Sequence, residues 1–166
     1  MALLSTIHQE NMKEKSIQTI VRIFEFAELP SEYQKLIEHA KKQTKMAYAP
    51  YSNFQVGAAV LLSDGEIIGG NNQENIAYPS GLCAERTAIF YANSQHPHTA
   101  VKAIAIAAYT KGKFTNNPIS PCGACRQVLL ETENRFKQDI EILLYGEKEI
   151  LLVKKAADLL PISFSM

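Results

Sequence analysis

The three cysteines are the most constraining feature of this chain, because two short motifs contain all of them. Cys83 opens the segment Cys83-Ala84-Glu85, and the other two belong to Pro121-Cys122-Gly123-Ala124-Cys125. A catalytic zinc ion takes three protein ligands and keeps one position open, and a Cys-x-x-Cys pair lets two thiolates bind the same ion. We therefore expect a fold that brings Cys83 next to the cysteine pair, with Glu85 close enough to carry protons for a reacting water.

Two other interpretations of the cysteines compete with a catalytic zinc site. A Cys-x-x-Cys pair also occurs in thioredoxin-like thiol oxidoreductases, which would predict a reversible disulfide and leave Cys83 and Glu85 without a role. A purely structural zinc site would need a fourth ligand from one of the histidines: His8, His39, His96 or His98. The three-thiolate site with a neighbouring carboxylate accounts for more of the sequence than either alternative.

Composition and charge exclude several classes of protein. The chain has 166 residues, of which 46% are hydrophobic, and its 17 Lys and Arg residues balance 17 Asp and Glu residues. This length suits one globular domain with a sizeable core. Proteins that bind nucleic acid through its phosphates usually have a clear basic excess, so we expect no nucleic-acid partner.

The odd number of cysteines and their metal-type spacing favour a reducing compartment over a secreted disulfide framework. Residues 1–11 show no secretory signal pattern, and no apolar run reaches the length that spans a membrane. We therefore expect a cytoplasmic protein without a membrane partner.

Hydrophobic patterning alternates between strand and helix periodicity along the chain. Strands are predicted at Phe54–Leu62, Ile67–Asn72, Val101–Tyr109, Ile140–Tyr145 and Glu149–Leu152, and helices from Ser31 and at Leu82–Asn93, Cys122–Thr132 and Lys155–Leu160. Such alternation indicates an α/β fold. We expect a three-layer sandwich in which helices cover both faces of a mixed, mostly five-stranded central sheet.

Residues 1–30 are predicted to form an N-terminal extension to a domain that spans residues 31–166. The segment Ile17–Phe26 is rich in β-branched and aromatic residues and predicts an added strand, although its apolar residues would also line a helix. The first helix of the domain is predicted to use Ser31 as N-cap, with Gln34 completing a capping box. Its buried side would consist of Tyr33, Leu36, Ile37, Ala40, Thr44 and Ala47.

Both cysteine motifs are predicted to lie at helix starts, where the helix dipole and free backbone N–H groups stabilise thiolates. Three thiolates around Zn²⁺ leave a net negative charge, which would weaken the ion as a Lewis acid unless charge is drawn away from the sulfurs. Arg86 follows Glu85 on the predicted helix. We expect Arg86 and the two helix N-termini to offset this charge.

Five segments carry motifs that can be compared with known families: Ala49–Ala59, Asn72–Asn75, Cys83–Ala88, Ser120–Gln127 and Leu159–Phe164. Together they resemble the cytidine deaminases of free-nucleoside salvage, over a span from about Ser31 to Phe164. A Cys or His before x-Glu, followed by Pro-Cys-x-x-Cys, is the general signature of the zinc deaminases. Cys instead of His as the first ligand is similar to the short, homotetrameric branch of the family.

The resemblance implies which residues bind the metal and move protons. Cys83, Cys122 and Cys125 would hold Zn²⁺. Glu85 would take a proton from water, pass it to N3 of the pyrimidine and later protonate the amino group that leaves as ammonia. The implied reaction converts cytidine and deoxycytidine to uridine and deoxyuridine.

Substrate contacts are implied in the same way. The backbone N–H of Ala84 would bind the base carbonyl, and the backbone C=O of Ser120 would accept from the leaving amino group. Phe54 would face the pyrimidine, while Asn72 and Glu74 would bind ribose hydroxyls. A carboxylate at the sugar repels phosphate, so nucleosides are expected rather than nucleotides.

The resemblance also implies assembly, because Phe164 would reach the site of a neighbouring subunit in a homotetramer. Within the same superfamily, a blasticidin-type antibiotic deaminase is the nearest alternative function. Asn72 and Glu74 favour cytidine over that alternative.

Overall fold

A mixed β-sheet forms the centre of the fold. The computed structural model describes residues 13–164, and its strands are β1 (Val21–Phe24), β2 (Gln55–Leu62), β3 (Ile67–Asn71), β4 (Val101–Thr110), β5 (Lys113–Phe114), β6 (Glu141–Tyr145) and β7 (Ile150–Val153). Their order is β1-β7-β6-β4-β2-β3, with β5 paired to β4. Strands β4 and β6 run parallel, and the other described pairs are antiparallel.

Helices cover both faces of this sheet. The described α-helices are α1 (Ser31–Thr44), α2 (Ala84–Gln95) and α3 (Gly123–Phe136). On one face, Leu36 and Ile37 of α1 pack against alternate small residues of β2 and β4. On the opposite face, Ile89 of α2 and Leu129 of α3 pack against the other side chains of the same strands. The predicted three-layer α/β sandwich is confirmed.

Glycines in β2 and β3 allow the helices to approach the sheet closely. A Cβ atom added at Gly57 would lie 2.1 Å from the backbone oxygen of Ala40 in α1. A Cβ atom added at Gly70 would lie 2.4 Å from the backbone nitrogen of Ala88 in α2. Both distances are far below van der Waals contact, so these glycines determine how near each helix lies to the sheet.

The sheet has more strands than the predicted five because two short strands join it. β5 returns from β4 through a turn in which Lys111 and Gly112 both have positive φ. β1 pairs with β7 over four residues, from Val21 opposite Val153 to Phe24 opposite Ile150. The strand predicted over Ile17–Phe26 is therefore shorter in the structure, because β7 provides hydrogen-bonding partners for four residues only. Residues 1–12 of the predicted extension, including His8, lie outside the described residues.

The N-terminus of α1 differs from the prediction. Pro30 is the N-cap, and its carbonyl accepts hydrogen bonds from the backbone N–H groups of Tyr33 (2.9 Å) and Gln34 (3.1 Å). The side-chain amide of Gln34 donates to the carbonyl of Leu29 instead (2.8 Å). The prediction of Ser31 as N-cap with a capping box is wrong, because Pro30 itself has the non-helical conformation of a cap, with its φ of −53° fixed by the ring and a ψ of 145°.

Other helix ends differ by a few residues. Helix α1 ends at Thr44, so Ala47 of the predicted stripe lies beyond it. The helix predicted to end at Thr132 continues to Phe136. The helix predicted at Lys155–Leu160 is a 3-10 helix at Ala156–Leu159, and its first N–H groups donate to the buried carboxylate of Glu133. Over residues 13–164, no helix is both long and apolar enough to cross a membrane.

Candidate active site

The N-termini of α2 and α3 bring the two cysteine motifs together. Cys83 is the N-cap residue of α2, and Cys122 is the N-cap residue of α3. The sulfur of Cys83 lies 3.8 Å from that of Cys122, which lies 3.4 Å from that of Cys125. The three sulfur atoms all lie within 4.8 Å of one another.

These distances fit one shared metal ion. In a tetrahedral zinc site, Zn–S bonds of about 2.3 Å place the sulfur ligands about 3.8 Å apart. A disulfide would require a much shorter S–S distance of about 2 Å, and all three cysteines are free thiols. The cluster can therefore accept Zn²⁺ with little rearrangement of its side chains.

Close packing against β3 determines where α2 begins. Ala84 and Ala88, on the first turns of α2, are fully buried. Their backbone atoms lie directly over Gly70, which has no side chain to hold them away. Because Cys83 immediately precedes this packed turn, the position of its sulfur depends on a contact between two backbones.

The charge environment favours a thiolate at Cys83. The pKa of Cys83 is lowered to about 5, mainly by a hydrogen bond from Cys125, with the Arg86 guanidinium acting in the same direction and burial opposing both. Arg86 donates from Nη2 to the Cys83 sulfur over 3.8 Å. The pKa of Cys125 is raised, mainly because its thiol donates to Cys83 and because it is buried. The predicted proximity of Arg86 to the thiolates agrees with these contacts.

Glu85 lies on the first turn of α2, next to the sulfur cluster. Its side chain is only 6% exposed. Burial is the main cause of its raised pKa, and the negative charge of Cys83 raises it further. A carboxyl group whose pKa moves towards neutrality can both accept and release a proton under physiological conditions.

A cavity of about 280 Å³ opens beside the cluster. This volume is near the lower end of the range for small-ligand pockets, which is about 300–1,000 Å³. Its walls bring together four of the predicted site residues: Asn72, Glu74, Cys83 and Arg86. Tyr78, Gly81 and Leu82 also line it. The other predicted site residues are not among its described lining residues: Phe54, Ala84, Glu85, Ser120, Cys122, Cys125 and Phe164.

Asn72 and Glu74 follow β3 and both hold the loop that precedes β2. The amide of Asn72 donates to the carbonyl of Phe54 (2.9 Å) and accepts from the N–H of Val56 (2.8 Å). The carboxylate of Glu74 accepts from the N–H groups of Tyr51 (2.9 Å) and Ser52 (3.3 Å) and from the Ser52 hydroxyl. The Ser52 hydroxyl is the main reason that the pKa of Glu74 is lowered.

The remaining predicted contacts lie around this centre. Phe54 is half-buried at the entrance to β2, and Ser120 is exposed just before Pro121. Phe164 has a 76% exposed side chain, and its carbonyl accepts a hydrogen bond from the side chain of Gln127 (3.2 Å).

Arg126 and Ser52 contact the site, although the sequence analysis assigned neither of them a role. Arg126 donates to the carbonyls of Pro121 (2.9 Å) and Leu159 (3.1 Å), and so ties the cysteine loop to the C-terminal segment. Ser52 reaches Glu74, which is 22 residues away in sequence. Both residues lie within the segments that resemble the family, Ala49–Ala59 and Ser120–Gln127, and this position was the sequence evidence that could have pointed to them. Periodicity does not reveal partners that are so far apart in the chain.

The fold and the cluster together define an α/β protein with three clustered cysteines that could hold a metal ion and a buried carboxyl group beside them. The family model described as the cytidine and deoxycytidylate deaminase zinc-binding region matches residues 30–137. A cytidine deaminase from Sporosarcina psychrophila is 47% identical over 132 residues, which cover 80% of this chain and 90% of that relative.

Solved structures of cytidine deaminases are similar to this chain as well. The cytidine deaminase of Burkholderia pseudomallei has a TM-score of 0.67 and 43% identity, covering 80% of this chain and 98% of its own. The cytidine deaminase of Mycobacterium tuberculosis has a TM-score of 0.65 and 32% identity, and the match covers 82% of this chain and 100% of its own. The chain therefore belongs to the cytidine and deoxycytidylate deaminase family and is an enzyme of the cytidine deaminase type, which confirms the resemblance seen in its motifs.

Proposed function

We propose that this enzyme deaminates cytidine and deoxycytidine by hydrolysis and that Cys83, Cys122 and Cys125 hold a catalytic Zn²⁺. The observation that carries the proposal is the sulfur spacing of 3.8 and 3.4 Å beside a carboxyl group that is only 6% exposed. The similarity to proteins named cytidine deaminases supports the substrate class.

Zn²⁺, when bound, would supply Lewis acidity at its open coordination position. Glu85 takes a proton from the attacking water and delivers it to N3 of the ring while oxygen bonds to C4. It then transfers the second proton to the amino group, the C4–N bond breaks and ammonia leaves. The raised pKa of Glu85 suits both transfers, because one group must act first as a base and then as an acid.

The substrate would lie across the cavity beside the cluster. The backbone N–H of Ala84 at the first position of α2 has no partner within its own helix and would bind the base carbonyl. The carbonyl of Ser120 would accept from the leaving amino group, and Phe54 would face the ring. Glu74, with support from Asn72, would bind the sugar hydroxyls and disfavour a phosphate there.

We also propose a homotetramer that works in cytoplasmic pyrimidine salvage, with residues 31–166 as the deaminase domain. Ile76 is 82% exposed, Tyr78 at the wall of the cavity is 80% exposed, and Phe164 is 76% exposed. A second subunit that covers these side chains would remove their apolar surface from water and so favour assembly. Three free thiols suit a reducing compartment.

A single set of measurements tests the proposal. The purified enzyme should hold about one zinc ion per chain on its ligand count, convert cytidine in an ultraviolet assay and scatter light as a tetramer. Glu85→Gln should keep the zinc and the thermal midpoint yet lower turnover by about a hundred- to ten-thousandfold, as loss of acid-base catalysis does. Glu147→Gln is the matched control, because it makes the same chemical change at an exposed glutamate.

Three results would contradict the proposal. Full activity without zinc would exclude the metal, and parental turnover in Glu85→Gln would exclude the proton carrier. Activity on blasticidin with none on cytidine would favour the antibiotic deaminase instead.

A further inference from the structure

We infer that Ser52 is a positioning residue of the substrate pocket, because its hydroxyl joins the carboxylate of Glu74 to the backbone of Phe54. The inference rests on the proposed function, in which Glu74 binds the sugar and Phe54 faces the base.

The hydroxyl of Ser52 makes two hydrogen bonds at once. It donates to Oε1 of Glu74 and accepts from the backbone N–H of Phe54 (3.0 Å). The backbone N–H groups of Tyr51 and Ser52 donate to the other oxygen of Glu74, at 2.9 and 3.3 Å. Both carboxylate oxygens are therefore held, which restricts rotation of the Glu74 side chain.

Phe54 is held from both sides by the same network. Its N–H donates to Ser52, and its carbonyl accepts from the side chain of Asn72 (2.9 Å). Asn53, which lies between Ser52 and Phe54 in the chain, has a φ of 54°. This value falls in the left-handed region, which costs energy for a residue with a side chain. The Ser52 hydroxyl bridges this residue and so stabilises the turn that presents Phe54.

The network connects two segments that are distant in sequence. Ser52 and Phe54 precede β2, whereas Asn72 and Glu74 follow β3 and line the cavity. The Ser52 hydroxyl is also the main cause of the lowered pKa of Glu74, because its hydrogen bond favours the ionised carboxylate. A serine suits this position because one hydroxyl can donate and accept simultaneously.

The test compares Ser52→Ala with Ser52→Thr, using the full-length zinc enzyme. Alanine removes both hydrogen bonds, and threonine keeps the hydroxyl; Ser52 is exposed, so an added methyl group has room. We expect Ser52→Ala to raise KM for cytidine about three- to tenfold, the effect of losing a typical net hydrogen bond, with a smaller change in kcat. Ser52→Thr should restore most of the parental KM. Ser94→Ala, which removes an exposed hydroxyl bonded to Tyr91, is the control.

Two further measurements separate positioning from general stability. The rise in KM should be larger for cytidine than for 2′,3′-dideoxycytidine, because the second compound lacks the hydroxyls that Glu74 would bind. In a double-mutant cycle, Ser52→Ala should add less to KM once Glu74→Ala has removed the carboxylate that the hydroxyl holds, since residues that act through one another are not additive.

Parental KM values in Ser52→Ala would overturn the inference and leave the proposed function intact. Equal increases in KM for both nucleosides, additive with Glu74→Ala, would also overturn it by showing a purely structural effect. A parent enzyme that does not convert cytidine would instead overturn the proposed function and this inference with it.

Discussion

Replacing Gly70 by alanine tests whether backbone packing positions the catalytic helix. The added Cβ would lie 2.4 Å from the nitrogen of Ala88 and 2.8 Å from the oxygen of Ala84, and both atoms belong to the backbone of α2. Ordinary contacts begin near 3.4 Å. The start of α2 must therefore move by about 1 Å, because a backbone cannot rotate out of the way as a side chain can.

Two effects of this shift can be estimated. Overpacking of this kind costs about 1–3 kcal/mol of unfolding free energy. At about 2–4 °C per kcal/mol for a chain of this size, the thermal midpoint should fall by several degrees. The same movement displaces Cys83 and Glu85 from α3, and a misplacement of about 1 Å can lower a rate about a hundredfold. We expect a folded enzyme with a large loss of turnover.

Gly69→Ala is the matched control, because it adds the same methyl group to the opposite face of the same strand. Its Cβ would meet the Gln43 side chain, at 2.2 Å from Nε2 and 2.9 Å from Cγ, and that side chain can rotate away at the cost of its hydrogen bond from Asn71. We expect a small loss of stability and parental turnover. The assay measures zinc content, thermal midpoint and cytidine turnover for both variants. Parental turnover in Gly70→Ala would refute this account of how the site is positioned.

Two further substitutions test other contacts. Arg86→Gln should retain zinc but lower turnover about tenfold or more, because the Cys83 sulfur loses the guanidinium that lies 3.8 Å away; zinc analysis with kinetics checks this, and unchanged turnover would contradict it. Glu133→Gln should lower the unfolding free energy by about 1–3 kcal/mol, because the buried carboxylate accepts from Ile140, Ala156 and Ala157. Thermal denaturation measures that loss, with Glu131→Gln as the control because Glu131 is an exposed carboxylate on the same helix. Equal thermal midpoints for the two variants would contradict the prediction.

The fold class and the family could be predicted from local patterns. Strand and helix periodicities repeat every few residues, so they are visible in a short stretch of chain. The placement of Cys83 and Cys122 at helix starts follows from the same local signals, and the structure has both as N-cap residues. Spacing and residue type together were enough to indicate a three-thiolate site and the deaminase family.

Boundaries were predicted less well where a neighbour outside the local pattern decides them. The strand expected over Ile17–Phe26 is limited to the four residues that β7 can pair. Ser31 fits the composition of an N-cap, yet Pro30 takes that position because its backbone is already extended. The pairing with β7 limits the strand, and the conformation of Pro30 determines the helix start. Residue-type preferences at the strand and at Ser31 include neither effect.

Contacts between distant segments arise when the chain returns on itself. Glu74 reaches Ser52 across 22 residues, and Arg126 reaches Leu159 across 33. The approach of α2 to β3 at Gly70 likewise depends on packing of whole elements. Periodicity and spacing report what a residue is next to along the chain, so they identify the cysteines and Glu85. The relative positions of these groups depend on backbone packing and on hydrogen bonds that form only once the sheet has assembled.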